Sequence, residues 1–200
     1  MLQLSRTVNL LLHPFLCPIY GLLLFQWINP RSIHSIWPFT QYIPLLILTV
    51  VIPSTGWLLG DQLKGNKRFT LLKVEALLSR LFFIAGLILL LSGSIPLDIS
   101  SEIYFFFTGL LIAALTQFSI GLIGYSADLH LAGAGSILAF LVCLSVFFSV
   151  TITDTLVCII FLTGIVGSIR IYTTKSGYSD ILIGWIIGIC AQLVVFKFWI

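Results

Sequence analysis

Seven stretches of this chain, between 15 and 29 residues long, contain no Asp, Glu, Lys or Arg: residues 7–30, 32–60, 81–97, 103–127, 129–153, 155–169 and 181–196. A helix crossing a bilayer needs about 20 apolar residues in a row, within a range of roughly 17–25, and the first five stretches meet that length. The last two are shorter. Arg170 and Lys197 at their ends extend them, because a long aliphatic stem lies in the apolar layer while the charged head stays in water. A soluble domain is excluded on related grounds. Charged residues make up 8% of the 200 residues and hydrophobic ones 59%, whereas a soluble domain carries about 25% charged residues to cover its surface. Strands of a membrane barrel would alternate apolar and polar residues over about ten positions, and no segment does so. The expected fold class is all-α, a polytopic membrane helix bundle of about seven spans, with six as the alternative if the short final pair fails to cross.

Residues 1–60 read as two N-terminal spans and 61–200 as a core, with 61–80 as an interfacial segment between them. Met1 to Leu12 places one arginine before its apolar run, but no small-residue cleavage site follows, so a retained first span is expected rather than a removed signal peptide. Pro14 and Pro18 are expected to kink that span. Cys17, Cys143, Cys158 and Cys190 fall inside spans without a CxxC spacing and read as small hydrophobes. Gly56–Gly60 and Gly184–Gly188 have GxxxG spacing, which lets helices pack closely.

Net charge is +3, and the basic residues are unevenly placed. With seven spans, Arg6, Lys64, Lys67, Arg68, Lys73, Arg80, Arg170 and Lys175 fall on one face and only Arg31 and Lys197 on the other. The positive-inside rule would make the basic face cytoplasmic. Basic residues kept for binding an anion would produce the same bias.

Some of them are suited to that. Lys73 and Arg80 are seven residues apart, close to two turns of helix, and so lie near one face. His130 opens the fifth span and is followed by Ala132-Gly133-Ala134-Gly135-Ser136. Arg170 closes the sixth span, and Ser176 and Asp180 lead into the seventh. Two spans separate each cluster from the next, which puts all of them on one face. Basic side chains and a histidine beside the amides of a helix start suit a phosphate. Each residue also has a plain reading. Lys73 and Arg80 would touch lipid headgroups, His130 and Arg170 would mark span ends, and Ser176 with Ser179 would form a polar turn capping the last helix.

The segment Ser168-Ile169-Arg170, with Ser176 and Asp180 following, resembles the third signature of the type 2 phosphatidic acid phosphatase and vanadium haloperoxidase superfamily. That signature runs Ser-Arg, five residues, His, three residues, Asp. Arg170 and Asp180 match in type and spacing, whereas Ile169 stands for the Ser and Ser176 for the His. His130 matches the histidine of the second signature, Pro-Ser-Gly-His. Lys73 and Arg80 match the first, with Leu81 in place of its proline. His13-Pro14 is similar to a His-Pro pair in a small bacterial membrane branch of the superfamily. The resemblance covers about residues 61–200 and implies a core of that type in a bacterial cytoplasmic (inner) membrane. It further implies that Lys73, Arg80 and Arg170 bind phosphate, that His130 is the general acid, and that Asp180 orients the nucleophile. The nucleophile's position is Ser176, and a serine hydroxyl is a weak nucleophile without an adjacent base.

Three readings follow. The first is a non-catalytic relative that keeps the phosphate cradle, with impaired or absent phosphatase activity, and binds a lipid-phosphate headgroup. The second is an active phosphomonoesterase on a lipid phosphate or diphosphate, in which His13 could approach the site. The third is a small transporter or scaffold, disfavoured because no span interior carries a charge and no inverted repeat is visible. Expected partners are membrane lipids, a lipid phosphate among them. Nucleic acid, metal and cofactor are not expected. Cysteine labelling should place residues 66, 128 and 174 on one face of the membrane and residues 35, 98 and 153 on the other. Opposite faces for 128 and 174 would rule out a shared site. Charge alone puts the first group in the cytoplasm, while the resemblance puts it on the outer side.

Overall fold

The structure is a computed structural model that describes residues 13–29, 39–63, 74–93, 101–174 and 177–199. Among these residues it is all-helical, in seven segments that follow the order of the seven charge-free stretches. We number them α1 (Pro14–Ile28, opening with a 3-10 turn), α2 (Phe39–Leu46, a π segment Ile47–Val51, and Ile52–Leu63), α3 (Val74–Gly93), α4 (Ser101–Leu122), α5 (Leu129–Phe148), α6 (Thr153–Thr174) and α7 (Tyr178–Phe196).

Four of them, α4 to α7, are long and apolar enough to cross a membrane. The apolar runs Pro14–Ile28, Tyr42–Gly56 and Leu78–Gly93 of α1, α2 and α3 are shorter. The chain is an integral membrane protein by the length and composition of α4–α7. The final two helices, which the charge-free stretches made shortest, reach full length. Charges at their ends do not stop the helix: Arg170 lies inside α6 before its last turn, and Asp180 lies in the first turn of α7. The interfacial segment 61–80 is described only at its two ends, where Asp61–Leu63 finish α2 and Val74–Arg80 begin α3. Residues 64–73 lie outside the described residues.

The prolines of α1 start the helix and do not kink it. His13 is extended and forms the cap, Pro14 is the first helical residue, and Pro18 sits at the start of the α-helical part. A proline in a first turn lacks only an N–H that would have had no helical acceptor.

The fifth helix is the centre of the bundle. It packs on α1, α4, α6 and α7, and most of its faces are buried, including His130, Leu131, Gly133, Ser136, Phe140 and Leu144. A helix apolar on all sides belongs in such a position. By contrast, 11% of the spanning window of α6 is buried, so that helix lies at the edge of the bundle with one side on α5.

Small residues bring α5 and α7 together. A Cβ added at Gly188 would overlap the carbonyl oxygen of Ala132, and one at Gly184 the carbonyl oxygen of Asp128. On the facing side, Gly135 leaves room for the Trp185 backbone. The hydroxyl of Ser136 donates to the Gly188 carbonyl at 3.3 Å. The spacing at 184–188 is thus a helix contact, as expected. Gly56 is another, against the ring of Phe82 in α3. Gly133 does the same for α1, whose Cys17 sulfur occupies the space of the missing side chain. Among the four cysteines, Cys17 and Cys143 are buried, Cys158 and Cys190 are exposed, and none is in a disulfide.

Forcing a methyl group into a packed backbone contact costs about 1–3 kcal/mol. Gly188→Ala should therefore lower the thermal unfolding temperature in detergent. Gly164→Ala on α6, where an added Cβ meets nothing within 4 Å, should leave it unchanged or raise it, since alanine favours helix over glycine by about 1 kcal/mol. Equal effects of the two would show that the α5–α7 contact is loose.

Candidate functional site

At one end of the bundle the start of α5, the end of α6 and the start of α7 meet, and Asp128 holds them together. Its backbone is extended and its side-chain Oδ1 accepts the N–H groups of His130 and Leu131 at 3.0 and 3.2 Å. That caps α5, where a carboxylate also complements the positive end of the helix dipole. The other oxygen, Oδ2, accepts Arg170 Nε at 2.7 Å. The Asp128 backbone N–H donates to the Asp180 carbonyl at 2.9 Å, and its carbonyl accepts Gln117 Nε2 at 3.4 Å. The carboxylate is 1% exposed and the Arg170 side chain 17%. A carboxylate buried to that degree requires an opposite charge and several donors, and it has both.

Around this pair stand two histidines and a second arginine. The His130 ring lies 5.2 Å from the His13 ring, edge to face. His130 Nδ1 is 3.8 Å from Asp128 Oδ1, outside hydrogen-bond range. His13 Nδ1 accepts the N–H of Phe15 at 3.4 Å and caps α1, and the Arg170 guanidinium acts on it electrostatically. Arg80, two turns into α3, lies in the field of the Asp128 carboxylate. Its Nη1 would be 3.0 Å from a Cβ added at Gly121 of α4. Its Nε is buried and has no hydrogen-bond partner among the described residues.

Of the residues singled out in the sequence, Arg80, His130, Arg170 and Asp180 therefore come to one end of the bundle. Lys73 and Ser176 lie outside the described residues. Asp180 reaches the cluster through its backbone carbonyl, while its side-chain Oδ2 accepts the Gly177 N–H at 3.3 Å and caps its own helix. Arg170 differs from expectation, since its Nε is committed to Asp128. His13 and Asp128 join the cluster, and of these only Asp128 matched no motif. Asp128 was readable as a helix cap, because an Asp directly before an apolar helical run is a start signal. His13, a turn or two into the first charge-free stretch from the basic face, is singled out in the sequence as able to approach the site. Among the described residues no group of three or more His, Cys, Asp or Glu could hold a metal ion.

Chemically the end offers a cation with an unused buried donor, an ion pair, and two imidazoles at the start of two helices. Such an arrangement can hold an anion and can supply a proton to it. No family model, no characterised protein and no solved structure matches this chain.

The Asp128–Arg170 pair should show asymmetric energetics. Arg170→Gln leaves a buried carboxylate without its cation and should destabilise by about 3–5 kcal/mol. Asp128→Asn keeps the cap and leaves an arginine that can turn toward water, so it should cost less. The double variant should be more stable than the sum of the two predicts, by a coupling of about 0.5–3 kcal/mol. Denaturant unfolding of the three variants in detergent measures this, and additivity would show that the two charges stand together without mutual support.

Proposed function

We propose that this chain is a divergent relative of the type 2 phosphatidic acid phosphatase and vanadium haloperoxidase superfamily, a bundle of about seven spans in a bacterial inner membrane, that binds the phosphate of a lipid headgroup. One observation carries the proposal: Arg80, His130 and Arg170, which match the three signatures separately, converge on one end of the bundle although 90 residues separate the first from the last. In this reading Lys73, Arg80 and Arg170 are the phosphate ligands and His130 stands beside them. Position 176 carries a hydroxyl where the superfamily has an imidazole. The carboxylate of Asp180 caps α7, and a carboxylate with a reference pKa of about 4 is a weak base for a serine hydroxyl. Phosphatase activity is therefore impaired or absent.

A second reading, an active lipid phosphomonoesterase, is favoured by the position of His13. Its imidazole lies close enough to His130 to share a ligand. However, His13 Nδ1 accepts the Phe15 N–H, so a neutral ring carries its proton on Nε2. That nitrogen is then a hydrogen-bond donor to an anion, and attack on phosphorus would require the other tautomer. The geometry suits binding better than nucleophilic attack.

Purified protein should bind vanadate or inorganic phosphate. Arg80→Ala should weaken that binding about tenfold or more, since a charge-assisted contact contributes about 1.5–3 kcal/mol. Lys64→Ala should not. Wild type should release little or no phosphate from lipid phosphates. Ser176→His should give measurable, vanadate-sensitive release, and adding His130→Ala should remove the gain, a general acid being worth about 10²–10⁴-fold. Wild-type turnover abolished by His13→Ala would establish the second reading. Wild-type turnover that survives His130→Ala would defeat both.

A further inference from the structure

An apolar cavity near this end of the bundle lies between α1, α5 and α6. Both α1 and α6 pack on α5, and the gap between them is a half-open groove of about 360 Å³. Its walls run from Cys17 to Leu24 on α1, from His130 to Ile137 on α5, and from Ile159 to Val166 on α6. Each wall covers seven residue steps, about 10 Å of helix. Helix direction fixes the polarity of the cavity. The starts of α1 and α5 and the end of α6 lie together, so Cys17, His130 and Val166 line the end near the ion pair, and Leu24, Ile137 and Ile159 line the end within the membrane. The lining is aliphatic or aromatic except for His130, the Cys17 thiol and the hydroxyls of Tyr20 and Thr163, and the Thr163 hydroxyl is bonded to the Ile159 carbonyl of its own helix.

An apolar slot about 10 Å deep, with an imidazole and an arginine–carboxylate pair at its mouth, matches an amphiphile with one hydrocarbon chain and an anionic head. Neither a soluble metabolite nor a second copy of this chain would use both ends. We propose that the slot between α1, α5 and α6 seats a single alkyl chain of the lipid whose phosphate lies at His130, so that the first helix selects the ligand by its tail. The proposal rests on the phosphate-binding reading of the same end. It assigns α1 a ligand-selecting role outside residues 61–200, where the motifs lie.

Binding of inorganic phosphate and of ethyl, butyl, hexyl, octyl and dodecyl phosphate to full-length protein tests it, at ligand concentrations below micelle formation. Affinity should rise with chain length by up to about fourfold per methylene, the value for transfer of one CH₂ out of water. The rise should level off once the chain outgrows the slot of about 10 Å. Ala134→Phe and Thr163→Phe, which fill the slot from opposite walls, should each remove the chain-length dependence and leave inorganic phosphate affinity unchanged. Val142→Phe, on a lipid-facing part of α5, should change neither. Inorganic phosphate binding with no chain-length dependence in the wild type would overturn the slot and leave the headgroup reading intact. Chain-length dependence that persists in both filled variants would place the tail elsewhere and also overturn it. Binding of none of these compounds would overturn the headgroup reading and the slot with it.

Discussion

The carboxylate of Asp128 is the point from which this end of the bundle is organised. It ends the turn after α4, caps α5, neutralises Arg170 of α6 and, through its backbone, ties down the start of α7. Four helices thus share one residue. An isolated buried carboxylate would be far more costly than any of these contacts is favourable. The arrangement holds only because all partners arrive together, and such a network tends to be satisfied as a whole or not at all. The positions of His130 and Arg170 therefore depend on each other, although 40 residues separate them in sequence.

Packing of α5 on α7 supplies the second requirement. Lipid tails are as apolar as leucine, so helices inside a membrane gain little from hydrophobicity and associate by close backbone approach. Gly184, Gly188 and Gly135 allow that approach. They set the axial register at which the Asp180 carbonyl meets the Asp128 amide. A shift of one helical step would move these groups by about 1.5 Å, enough to break a hydrogen bond.

Much of this was legible from the residues. The lack of charge over long stretches matches the order of the seven helical segments among the described residues, four of them long enough to cross a membrane, and counting spans put His130, Arg170 and Asp180 at one end. The 184–188 spacing announced its contact. Less legible were features that depend on a partner in three dimensions. Arg170 reads in sequence as a cation available to an anion, and only its distance to Asp128 shows that its Nε is engaged. Asp128 carried its cap signal but not its charge partner, because the arginine comes from another helix. The charge-free stretches alone understate α6 and α7, because these helices continue through Arg170 and begin before Asp180. The π segment Ile47–Val51 has no sequence signature beyond the nearby Pro44 and Pro53.

The location of the Asp128–Arg170 pair at the ends of its helices, and not at their middles, bears on how the chain enters a bilayer. Ribosomes deliver Asp128 42 residues ahead of Arg170, so α5 leaves the ribosome before its cation does. A carboxylate halfway along α5 would have to pass that interval in hydrocarbon, where an acidic side chain raises the cost of insertion by about 2.5–3.5 kcal/mol. At the helix start it waits in the headgroup layer, hydrated, and is dehydrated only when α6 returns to the same side and brings Arg170 to it. A pair placed there can form only once the α5–α6 hairpin has brought Arg170 back to the end where Asp128 lies.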